Sequence, residues 1–236
     1  PLYQMYVQTT CFHPGGVIAL ATSTDGEHFT GAAEPAAKPD DLKPEDRANV
    51  MSLYDVGMSD MDMNGKTYEC MVYSGYRRVG CGDVYMSLRE KPAAGAQPPW
   101  SAPALILKQE DVPFHNRLDK DNFEWGLEGV KIDKLADGAF LMTGVCFLDL
   151  PNEARGTRQR VFFAAADKPE GPWVPMRTPV EPTAYPEGTG ENGHPDTIDL
   201  GEKLGLLYQE RAGEGKPWHL RYIEYSKQEL VAESVV

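Results

Sequence analysis

The chain has 236 residues, 41% hydrophobic and 25% charged, enough for one sizeable core or two small ones. Its formal charge of −13 argues against a nucleic-acid partner, which needs stripes of Lys and Arg, and no apolar run approaches the ~18 residues of a membrane helix. Four cysteines (Cys11, Cys70, Cys81 and Cys146) lack metal-ligand spacing, so no zinc centre is expected. Pro1 is not a translated start, so upstream sequence is expected. A removed leader would mean a secreted or periplasmic protein, and localisation stays open.

Helical periodicity is scarce, and "LKPEDRANVMSLY" holds at most one helical turn. Strand signals dominate, closed by Asn-Gly, Asp-Gly and Gly-Glu turns. "LYQMYVQTT" and "GGVIALATSTDGEHF" give two strands at the start. "MSDMDMNGKTYECMVYSG" then runs on to "GDVYMSLRE", "LEGVKIDKLADGAFLMTGVCF" to "QRVFFAAADKPEGPW", and "HPDTIDLGEKLGLLYQER" to "WHLRYIEYSK". Each of these three is a strand, a turn with Gly, a second apolar strand, a loop and a third strand. The first segment has the second and third strands without the first. This repeat predicts an all-β chain forming a single β-propeller domain over 1–236, whose blades bury their faces by stacking around an axis. A β-sandwich is the rival, but it would not repeat the strand-turn-strand order in register. The Ala- and Pro-rich stretch from Gly31 to Val50 reads as a surface connection between blades. Cys70 and Cys81 lie about equally far from the "SGY" turn, which allows a disulfide across a hairpin or two buried thiols.

Several stretches resemble the five-bladed β-propeller glycoside hydrolases of families 43 and 130. "IALATSTDGEHF" is similar to their A-x-S-x-D-G-x-x-W blade ending, with Phe29 in place of Trp. "LEGVKI" resembles the E-G-P strand start, with Val130 in place of Pro. "GENGHPDTIDLGEKLGLLYQ" resembles the G-x-G-H blade start, and "SDMDMNGKTY" the Asp-bearing blade start that precedes the Glu blade. The resemblance implies five blades, of which four are visible here. It implies a protein that hydrolyses or phosphorolyses a glycosidic bond in an oligo- or polysaccharide. The inner strand that would carry the family's base Asp has no counterpart after Pro1, so the other expectation is a non-catalytic carbohydrate-binding propeller. Oligomeric state is left open.

In a propeller the starts of the inner strands meet at one mouth of the central funnel. Glu128, Asp60 and His194 would gather there from distant sequence. Glycosidic cleavage commonly needs two carboxyl groups, one of them protonated. Glu128, among Phe123, Trp125, Leu127, Val130 and Ile132, is the expected proton donor, because an apolar setting favours the neutral acid. Its flanking glycines, Gly126 and Gly129, would leave room for a sugar and for a bend. The plainer reading is a strand-end carboxylate paired with an Arg or a neighbouring blade. Asp60 is expected to orient the acid or tune its proton affinity, with Asp55 and Asp62 as competitors because the strand register is open. Otherwise Asp60 and Asp62 only flank the Asn-Gly turn. His194 would hold a substrate hydroxyl, or a structural calcium or sodium ion through waters, and Asp196 would share that place; no cofactor is required. Trp125 and Tyr76 offer faces for sugar stacking, and Arg77 could meet a substrate carboxylate, though packing and solvation explain all three as readily.

Overall fold

The computed structural model describes residues 2–10, 13–77, 82–91, 98–114, 126–135, 138–149 and 157–234. Four antiparallel sheets account for the strands among these residues. The first comprises β1 (Tyr3–Gln8), β2 (Ile18–Ser23) and β3 (Thr30–Gly31). The second comprises β4 (Val50–Met63), β5 (Lys66–Arg77), β6 (Asp83–Glu90) and β7 (Ala104–Leu107). The third comprises β8 (Glu128–Lys134), β9 (Phe140–Asp149), β10 (Thr157–Ala166) and β11 (Val174–Pro175), and the fourth β12 (Glu191–Leu200), β13 (Lys203–Arg211) and β14 (His219–Ser226). Strands neighbour one another in chain order within every sheet, as the blade reading requires. A short helix, α1 (Pro44–Arg47), occupies the connection between the first two sheets, and α2 (Lys227–Ser234) follows β14.

Local chemistry sets the hairpins. Between β4 and β5, Asn64 and Gly65 both take positive φ, 51° and 75°. That is the two-residue turn whose twist suits antiparallel strands. The β5–β6 register places Leu88 opposite Cys70. Cys70 and Cys146 are buried free thiols, and burial pushes the Cys70 thiol up to about 12; Cys81 lies outside the described residues.

Each sheet packs face to face on the next. Val72, Val84 and Met86 meet Val130, Ile132, Met142 and Phe162 between the second and third sheets. Leu141, Val161 and Phe163 meet Leu204, Leu206 and Tyr208 between the third and fourth. Strand β10 therefore sends Phe162 and Ala164 to one neighbour and Val161 and Phe163 to the other. Burial on both faces explains its unbroken apolar run. Between the first two sheets, Ile18, Ala37 and Leu42 pack on Leu53, Tyr73 and Tyr85.

The leading strands β4, β8 and β12 lie side by side and point the same way. A Cβ on Gly57 would sit 2.1 Å from the Val130 carbonyl oxygen, so β4 and β8 touch through their backbones there. Farther along, Lys134 Nζ donates to the Asp62 carbonyl, and Lys131 Nζ reaches the Thr197 carbonyl of β12 at 3.1 Å. Strand β1 lies against β4 on the other side, where the Asp55 N–H donates to Gln8 Oε1 at 2.6 Å.

Candidate functional site

All three leading strands carry the same irregularity near their starts. Pairing slips between Tyr54 and Gly57 in β4, between Glu128 and Lys131 in β8, and between Gly193 and Asp196 in β12. In each bulge one residue is left-handed: Asp55 (φ 49°), Gly129 (φ 55°) and His194 (φ 50°). Gly adopts this conformation freely, and Asp and His are among the few other residues that tolerate it. A bulge twists the strand and re-aims its side chains, which is why bulges gather beside active sites.

The bulges bring three sheets together at Asp55. Its carboxylate accepts the backbone N–H of Gly129, next to Glu128, and lies close enough to His194 to feel its charge. Burial nevertheless dominates and raises the Asp55 carboxyl above its ordinary value, with His194 and the Gly129 N–H opposing the rise. Glu128 is half-buried and lies opposite Val145 in the sheet. Its predecessor, Leu127, is fully buried and clamped: its N–H donates to the Gly82 carbonyl at 3.1 Å, and its carbonyl accepts Ser74 Oγ at 2.5 Å. The two glycines around Glu128 serve different ends. A Cβ on Gly126 would fall 2.0 Å from the Gly82 nitrogen, so its space is taken by backbone and leaves no room for a sugar. Gly129 takes the left-handed turn of the bulge without strain.

His194 meets Trp218 edge to face, with ring centroids 5.9 Å apart and planes at 83°. Trp218 lies under the Arg211 guanidinium, 4.4 Å from its ring centroid, and Arg211 Nε donates to buried Glu191 at 2.5 Å. Nothing in the sequence marked Trp218, Arg211 or Glu191. Trp218 follows a polar turn, and the Glu191–Arg211 pair becomes visible only through the β12–β13 register.

Each of the other expected residues that the structure describes has a partner of its own. Asp60 is exposed and bonded to Lys91, five residues beyond Asp55 on β4 and so roughly 16 Å along the strand. The carboxylate at the Glu128 end of β4 is Asp55, because the bulge resets the strand's alternation. Asp62 accepts Thr67 Oγ1 at 2.6 Å across the Asn64-Gly65 turn, a structural task. Asp196, two residues past His194, is bonded to Lys131 at 2.8 Å. Arg77 is held by Asp83 at 2.7 Å, and Tyr76 is buried edge to face against Tyr54. Trp125 lies outside the described residues. Among the described residues no group of three or more His, Cys, Asp or Glu could hold a metal ion.

No family model matches the chain, and no curated protein resembles it in sequence. Solved structures do resemble it in shape. An endo-arabinase from Bacteroides thetaiotaomicron superimposes with a TM-score of 0.62 at 14% identity, over 96% of this chain and 72% of that one. An α-L-arabinofuranosidase from Lactobacillus brevis gives 0.60 at 14% identity over 95% and 68%, and a thermostable family-43 glycoside hydrolase gives 0.56 at 17% over 96% and 71%. What the chain shares with these proteins at such low identity is its architecture, and that architecture is the β-propeller.

Proposed function

We propose that this propeller cleaves a glycosidic bond, with Glu128 as proton donor and Asp55 as its carboxylate partner. The observation that carries this reading is the convergence of three bulged inner strands on Asp55, Gly129 and His194 beside Glu128. Glu128 passes its proton to the leaving oxygen as the bond to the anomeric carbon breaks; a water oxygen bonds to that carbon, its surplus proton leaves to solvent, and Glu128 is reprotonated from solvent. The Asp55 carboxylate, in its ionised form, opposes premature loss of that proton through like charge. His194 holds a substrate hydroxyl. Arabinan and aryl arabinofuranosides are the first substrates to try, because proteins acting on arabinose-containing glycans share the shape.

A second reading, a propeller that binds sugar without cleaving it, is favoured by one feature. Against Asp55 the first sheet sets the neutral amide of Gln8, where a third carboxylate would help to activate water. Turnover of 4-nitrophenyl α-L-arabinofuranoside, the matching xyloside and arabino-oligosaccharides, by wild type and Glu128→Gln, separates the two. We expect the substitution to lower the rate about 10²–10⁴-fold without loss of folding. Equal rates would remove Glu128 as the donor, and binding without turnover in both proteins would establish the second reading.

A further inference from the structure

We infer that Trp218 is a positioning residue that fixes His194 for its contact with substrate, an inference resting on the proposed role of His194. The bulge fixes the His194 backbone in the left-handed region but leaves the imidazole free to rotate about its side-chain bonds. Trp218 is the ring against which that imidazole rests, edge to face at 5.9 Å. A wall can orient a neighbour only if it is itself held, and Trp218 is. The Arg211 guanidinium lies over its ring at 4.4 Å. Arg211 in turn stands directly opposite Glu191 across the β12–β13 pair and is bonded to it through Nε at 2.5 Å. Glu191 is 1% exposed, so the series starts from an anchor inside the fourth sheet and ends at the site. Each step removes freedom that substrate binding would otherwise have to remove.

Because His194 meets the ground-state substrate, loss of its support should weaken binding more than chemistry. The test compares wild type, Trp218→Ala, Trp218→Phe and, as a control, Trp100→Ala on 4-nitrophenyl α-L-arabinofuranoside, with arabinotriose binding measured by calorimetry. Trp218→Ala should raise KM roughly tenfold while kcat stays within about twofold, the scale of one lost aromatic contact. Trp218→Phe keeps a flat ring and should recover most of the affinity. Trp100→Ala should lower the melting temperature and leave KM alone. An unchanged KM in Trp218→Ala, or an equal rise in Trp100→Ala, would overturn the inference. A wild type that neither cleaves nor binds these sugars would instead sink the function on which it rests.

Discussion

Two parts of the molecule use the same three residue types in the same contact order, to different ends. In the second sheet Glu69 stands directly opposite Arg89, whose Nε donates to it at 2.5 Å, and the guanidinium lies 4.2 Å from the centroid of Trp100. In the fourth sheet Glu191, Arg211 and Trp218 repeat this arrangement. The first assembly continues into packing: Arg89 Nη2 donates to Tyr6 Oη at 2.7 Å, and Tyr6 meets Trp100 edge to face, so it seals the seam between the first and second sheets. The second continues into His194 and, through it, Asp55. Location separates the roles. Glu69 and Arg89 join β5 to β6, and Glu69 faces the leading strand only at Asp60, far from its bulge, whereas Glu191 lies on the leading strand itself, three residues before the left-handed His194.

Removing the anchors should break this comparison most visibly. Glu69→Ala and Glu191→Ala each leave an arginine without its buried carboxylate, and each should cost about 3–5 kcal/mol of unfolding free energy. Urea titration would measure both losses. Only Glu191→Ala should also raise KM for an aryl glycoside; if Glu69→Ala raised it equally, the distinction between seam and site would fall.

Asp55 gives a smaller effect with a sign set by burial. Its folded carboxyl lies above the ordinary 3.8, so over the interval from 3.8 up to the raised value the folded state holds more protons than the unfolded chain. Unfolding free energy then falls as pH rises through that interval. Asp55→Asn carries no such loss, so it should be the more stable protein at pH 7 while losing activity, and the two melting curves should converge towards pH 3. Lower stability of the variant at pH 7 would show that hydrogen bonding, not burial, dominates at this carboxylate. The smallest effect belongs to Asp60→Asn. Its exposed pair with Lys91 should be worth below about 0.5 kcal/mol, and turnover should be untouched.

Much of the fold was legible because alternation and turn chemistry are local. The Asn64-Gly65 hairpin and the strand-turn-strand repeat needed no knowledge of distant residues. Glu128 and His194 were marked by short motifs at strand starts. Asp55 was harder to place, because β4 runs for 14 residues and changes register twice, and the Asp-bearing motif that marked this strand lies at its far end, around Asp60. A bulge is settled by the neighbouring strand, and a single sequence does not display that neighbour. Trp218 was illegible for the same reason: its partners lie on other strands, and the turn preceding it is polar.

The left-handed backbone at 55 and 194 narrows what evolution or design can install there. Valine, isoleucine or threonine would strain at such a φ, so the conformation admits glycine, asparagine, aspartate or histidine before any reaction is considered. Libraries that randomise these two positions should thus return mostly those four residue types among folded clones. Here the scaffold's geometry acts as a filter on chemistry, and the carboxylate and imidazole are among the few functional groups that pass it.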